Sequence, residues 1–133
     1  MLLPLFAQVL LTFFVGAIMR TRRNRAVNEG TDWRYFKTFE GEKPPRDVLQ
    51  ADQHFVNMFE VPMLFFAAGL AAIVFGVVDE VMLVLASAFV FGRGVHAWIS
   101  LTNNRLLHRA KVYVLTCLDL LALWAWLVYS TFI

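Results

Sequence analysis

Four long, nearly uninterrupted apolar stretches, each matched to the thickness of a bilayer, leave this chain few ways to fold. They cover residues 1–19, 55–78, 81–101 and 112–133. About 20 residues of helix at ~1.5 Å rise span the ~30 Å hydrocarbon core of a membrane. Helices of this kind could also form the centre of a large soluble protein, but 133 residues are too few to wrap them. Apolar residues make up 59% of the chain and charged ones 17%, against about 45–50% and about 25% in soluble domains. The composition therefore points to lipid as the solvent. The expected fold is all-α, an integral membrane four-helix bundle occupying residues 1–133 as one domain.

Basic charge is concentrated in the loops and sets an expected orientation. The segment 20–54 carries Arg20, Arg22, Arg23, Arg25, Arg34, Lys37, Lys43 and Arg46, and the loop after the third span carries Arg105, Arg109 and Lys111. The short turn between the second and third spans offers only Asp79 and Glu80, and neither terminus adds a basic side chain. Basic loops stay cytoplasmic, so both termini are expected on the non-cytoplasmic side. The positive charges follow the first apolar stretch, whereas a cleaved signal peptide carries them before it. That order describes an uncleaved first span. The arginine run is read as this topology signal and not as a nucleic-acid patch.

Between Arg20 and His54 two readings stay open. Trp33, Tyr35, Phe36 and Phe39 suit an interfacial segment lying at the headgroups, and a disordered linker is the alternative. Pro45 suits the start of a helix, where its missing N–H costs nothing, so the second helix is expected to begin near Arg46. Cys117 is the only cysteine, which excludes an internal disulfide or thiolate metal site and suggests a buried thiol. His54, His96 and His108 lack ligand spacing, and no metal is expected.

Ionisable residues inside spans cost about 2.5–3.5 kcal/mol on insertion scales, so they pair or line a wet cavity. Glu60 lies in the second span, Arg93 and His96 in the third, and Asp119 in the fourth. Gln53, Asn57 and Glu60 stand at i, i+4 and i+7, which places them on one helix face. Arg93, His96 and Ser100 repeat the pattern at i, i+3 and i+7, and Arg109 and Tyr113 stand at i and i+4. Each stripe runs towards the basic end of its helix, predicting one polar pocket there. The plainer alternative is a Glu60–Arg93 ion pair that only fixes helix packing. Pro62 should bend the second helix beside the stripe, because it cannot donate to the Met58 carbonyl. Asp119 lies off the Arg109–Tyr113 face and has no assigned role.

These residues carry a resemblance to the MAPEG family, the membrane-associated proteins of eicosanoid and glutathione metabolism. Asn57-Met-Phe-Glu60-Val-Pro62 resembles the family's Asn-x-x-Glu segment in the second helix. Gly92-Arg93-Gly94-Val95-His96 resembles a Gly-Arg-x-x-His stretch of the third. Asn104-Arg105 through Arg109 and Tyr113 resembles the start of the fourth. The resemblance implies a homotrimer that binds glutathione between subunits near the cytoplasmic face and acts on apolar electrophiles or lipid hydroperoxides as a transferase or peroxidase. It also implies that Arg109 stabilises the thiolate with Tyr113 close by, while Gln53, Asn57, Glu60, Arg93 and His96 hold the rest of the tripeptide. The electrophile would arrive from lipid between the first and fourth spans. Two positions depart from the pattern. Gln53 stands where an arginine grips a glutathione carboxylate, and Ser100 where several members have a tyrosine. A neutral hydrogen bond is roughly half as strong as a charge-assisted one, so Gln53 favours an alternative in which the chain is a non-catalytic scaffold or lipid-binding protein. A third alternative, a small proton-coupled transporter, lacks the acidic residue such proteins carry in the first span.

Overall fold

Apolar residues on most sides, with charge concentrated towards the ends, produce long helices. The computed structural model describes all residues from Met1 to Ile133. Six helices follow one another: α1 (Leu2–Asn28), α2 (Tyr35–Thr38), α3 (Arg46–Asn57), α4 (Val61–Phe75), α5 (Glu80–Leu101) and α6 (Leu106–Phe132). Helices α1, α5 and α6 each suffice to cross a membrane, and α3 with α4 forms the fourth crossing over Arg46–Phe75. The chain is thus an all-helical integral membrane protein with four spans.

One end of the bundle is closed by caps. Gly76 ends α4 with a left-handed φ of 68°, a conformation that costs glycine nothing. Asp79 then starts α5, its Oδ1 accepting from the Met82 N–H at 2.8 Å. The other carboxylate oxygen accepts from the Trp126 indole at 2.8 Å, which ties the start of α5 to the end of α6.

The opposite, basic end is more structured than the expected 20–54 loop. Helix α1 continues nine residues past Met19, to Asn28. Its arginines explain the extension. Arg22 donates to the Asp47 carbonyl (2.8 Å) and to the Leu101 carbonyl at the end of α5 (2.5 Å). Arg23 pairs with Asp52 at 2.8 Å, and Arg25 with Asp47. The run of basic residues is therefore also a clamp that fastens α1 to α3. Between these helices the chain is ordered. The Tyr35 ring is buried and meets Phe36 and Phe39 edge-on, while Arg23 lies over the Phe36 ring at 4.9 Å. Trp33 and Phe39 stay exposed, a placement suited to headgroups.

The bundle packs in two apolar clusters. The larger, at the capped end, joins α1, α4, α5 and α6 around Phe65 and Phe89, whose rings stack at 4.5 Å. The smaller, at the basic end, holds Val15, Ala51, Met58, Ala97 and Leu101. Glycines bring the helices close. A Cβ at Gly69 would stand 2.7 Å from the Leu5 side chain, and one at Gly92 would overlap Thr116 on α6. Helix α5 packs most extensively on α6, while α1 packs on α3, α5 and α4. Within one subunit the first and fourth spans touch each other less than either touches α5.

Candidate functional site

The site is built where the second span breaks. Pro62 lies in the first turn of α4 and has no N–H to offer. The expected bend is instead an interruption, since the α-helix stops at Asn57 and resumes at Val61. The break frees the Asn57 carbonyl, and Arg93 takes it, its Nη2 donating at 2.9 Å. The same nitrogen lies 3.7 Å from the Met58 sulfur. Arg93 is fully buried, and its Nε and Nη1 have no protein partner. A cation at the C-terminal end of a helix is favourable, which accounts for part of its burial.

The Glu60–Arg93 ion pair of the plainer reading does not form. All four ion pairs belong to Arg22, Arg23 and Arg25. Glu60 is exposed at the break, and Gln53 is exposed on α3. The physical reason is the register of α3. Its buried face runs through Val48, Ala51 and His54, and the stripe of Gln53 and Asn57 lies to one side of it. Once the helix stops at Asn57, Glu60 no longer continues that stripe.

Four of the seven expected residues do converge. Asn57 from α3, His96 from α5, and Arg109 and Tyr113 from α6 line one cavity of about 250 Å³, together with Leu106 and Ala110. The His96 and Tyr113 rings are 5.7 Å apart. Arg93 adjoins this group through the Asn57 carbonyl, whereas Gln53 and Glu60 do not line the cavity. Helix periodicity explains the convergence: Arg93 and His96 share a face of α5, as Arg109 and Tyr113 share one of α6, and Gly92 lets the two faces approach.

Two residues without a role in the sequence reading belong here. Asn104 accepts from Arg109 Nη1 at 2.6 Å and orients the guanidinium. It does so from a left-handed backbone, φ 46°, which asparagine tolerates better than most residues. An asparagine just ahead of a helix and five residues before an arginine was the available signal. His54 is the other. It is 2% exposed and lies against His96, with ring centres 5.1 Å apart. A polar residue in register with Val48 and Ala51 on an otherwise apolar face would have marked it.

Comparison with known protein families matches residues 1–129 to the MAPEG family. The chain belongs to the MAPEG family. Comparisons with curated proteins and with solved structures give no match. Membership extends over both helices of the broken second span and over the whole of α5, so the motif residues all fall within the matched part of this MAPEG chain.

Larger hollows lie elsewhere on the subunit, two of them beside α1 and of about 620 Å³ or more. An apolar groove of about 620 Å³ runs between α1 and the break, walled by Phe13, Gly16, Phe59 and Met63. A hollow of about 660 Å³ between α1 and the α2 region is lined by Arg20, Arg23, Asn24 and Trp33. Neither contains a residue of the polar set. The chemistry of the small cavity is distinctive: one guanidinium, one imidazole, one phenol and one amide around a space open to a polar ligand. That set offers donors to an anion and supplies no carboxylate to repel one.

Proposed function

We propose that this MAPEG chain is a membrane-bound, glutathione-dependent transferase or peroxidase acting on apolar electrophiles or lipid hydroperoxides. The observation that carries the reading is the convergence of Asn57, His96, Arg109 and Tyr113 on one cavity. A glutathione thiol has an ordinary pKa near the cysteine value of about 8.5, and its reactive form is the thiolate. A fixed guanidinium beside the sulfur populates that form at neutral pH. Arg109, held by Asn104, serves this role, and the Tyr113 hydroxyl stands one helical turn away to donate to the same atom. Asn57 takes a peptide group.

The cavity of about 250 Å³ falls short of the ~300–1,000 Å³ typical of pockets that enclose a drug-sized ligand. It accommodates the cysteinyl part of the tripeptide, leaving its charged ends at the subunit surface. Gln53 and Glu60 are exposed there, which suits a homotrimer in which a neighbouring copy completes the site. The basic end of the bundle faces the cytoplasm in this reading, where glutathione is abundant, and the apolar substrate arrives from the lipid between neighbouring copies.

Detergent-purified protein is expected to bind glutathione and to show the ultraviolet thiolate band on mixing. Arg109→Ala should abolish the band while the oligomer stays intact. No binding at millimolar glutathione would sink the enzymatic reading. The outward positions of Gln53 and Glu60 then favour the second reading, a non-catalytic scaffold or lipid-binding protein of the same fold.

A further inference from the structure

His54 is a buried titratable side chain that the proposed chemistry does not use. It is 2% exposed, and neither ring nitrogen has a hydrogen-bond partner. A second imidazole lies beside it. The His96 ring lies tilted by 44° with its centre 5.1 Å away, a separation at which two imidazoles turned nitrogen to nitrogen share a hydrogen bond of ordinary length. His96 is itself 3% exposed, with its Nδ1 buried and unpartnered. Its Nε2 is the nitrogen left accessible, on a residue that lines the polar cavity.

We propose that His54 is a positioning residue that donates to His96 Nδ1 and so fixes the His96 tautomer, leaving Nε2–H to enter the cavity as a neutral hydrogen-bond donor to the bound sulfur anion. The choice of acceptor rests on the glutathione reading given above.

The charges around the pair make a neutral donor the natural state. Arg93 on α5 and Arg109 on α6 already bring two positive charges to the cluster, and neither is in an ion pair. Tyr113 is the other titratable group beside His96. Asp52, on the same helix as His54, is held by Arg23, and Glu60 is exposed at the helix break. No carboxylate forms an ion pair within the cluster. A neutral imidazole carries one N–H and one acceptor nitrogen, and the partner of one nitrogen decides where the proton sits. Protonation at the buried Nδ1 would turn the bond round, with His54 accepting, and would leave His96 Nε2 facing the cavity with a lone pair that repels an anion. Protonation at Nε2 lets Nδ1 accept from His54 and aims the N–H at the ligand. This is the second-layer logic by which a base or donor is oriented by a third group.

Histidine-labelled protein tests the idea by nitrogen NMR in detergent, with the His96 resonances assigned by their loss in His96→Asn. In glutathione-free protein His96 is expected as the Nε2–H tautomer between about pH 6 and about pH 8. His54→Phe should turn it into a tautomer mixture, and His54→Gln, whose amide still donates, should restore it. With glutathione bound, His54→Phe should show about tenfold less thiolate at a given pH than the wild type, the consequence of one weakened bond to a charged acceptor, and His54→Gln should recover most of it. Circular dichroism and oligomer size confirm that both variants are folded. A His96 tautomer that is Nδ1–H, or that ignores both substitutions, overturns the proposal. Failure of the wild type to bind glutathione overturns the transferase reading and the sulfur acceptor with it, while the ligand-free tautomer comparison decides the His54–His96 coupling in either case.

Discussion

Arg109 can direct its charge only because Asn104 holds it, and the two have separable roles. The Asn104 side chain accepts from Arg109 at 2.6 Å, while its backbone adopts the left-handed turn before α6. Asn104→Gly keeps the turn and removes the oxygen. A hydrogen bond to a charged group contributes about 1.5–3 kcal/mol, and partial solvent exposure of Arg109 reduces that to about 1 kcal/mol. Glutathione affinity is therefore expected to fall about fivefold in Asn104→Gly, with thermal stability nearly unchanged. Asn104→Ala should show the same binding loss plus a lower Tm, because alanine is strained at positive φ. Calorimetric binding and a melting curve on both variants check this, and equal affinity in Asn104→Gly would remove Asn104 from the site. At this scale the sequence was informative where a helix is regular. Arg93 with His96 and Arg109 with Tyr113 converge because their i, i+3 and i, i+4 spacings survive in α5 and α6. Glu60 does not join them because the helix carrying it is interrupted after Asn57. His54 shares a register with Val48 and Ala51, but periodicity alone does not say which face of α3 is buried.

The helices themselves were legible because hydropathy alone sets a span, and the four crossings lie on the four apolar stretches. Their ends were less so. Hydropathy stops at Met19, yet α1 runs to Asn28 because Arg22, Arg23 and Arg25 find Asp47, Asp52 and the Leu101 carbonyl on other elements. That is a tertiary effect, absent from any local pattern. Caps follow local chemistry more closely, and Asp79 shows how one governs two helices. The Met82 backbone N–H, and then the Trp126 indole, hold its carboxyl below the usual aspartate range. The sign of the pH dependence follows. A carboxylate with a lowered native pKa stabilises fully above its unfolded value of about 3.9, and the benefit is lost as pH falls through the native value. Asp79→Ala should lower the Tm at neutral pH, and the gap between it and the wild type should close as the pH is taken well below about 4. Melting curves of the two proteins across an acid series decide it. A gap that stays constant, or widens in acid, would show that the Asp79 carboxylate is not what joins α5 to α6.

As a whole the molecule has a bilayer's exterior. No more than 33% of the most apolar window of any span is buried within the subunit, and rings such as Phe13 and Phe91 are about three-quarters exposed, at 74% and 75%. Lipid or further membrane protein must cover that surface. The two ends differ sharply in charge. The basic end gathers Arg20, Arg22, Arg23, Arg25, Arg105 and Arg109, whereas the turn between α4 and α5 carries Asp79 and Glu80 and no cation. Basic segments resist translocation, so the α4–α5 turn and both termini should lie outside the cytoplasm. Single cysteines report this directly, since Cys117 is the only native one and can be replaced by serine. On that background Glu42→Cys marks the basic end. Glu80→Cys marks the turn, a position exposed in the first turn of α5. In intact cells a membrane-impermeant maleimide is expected to label Glu80→Cys, and to reach Glu42→Cys only after the membrane is opened. The reverse pattern would place the Arg109 cavity on the outer face, away from cytoplasmic glutathione, and would remove the physical basis for the transferase reading without disturbing the four-span fold.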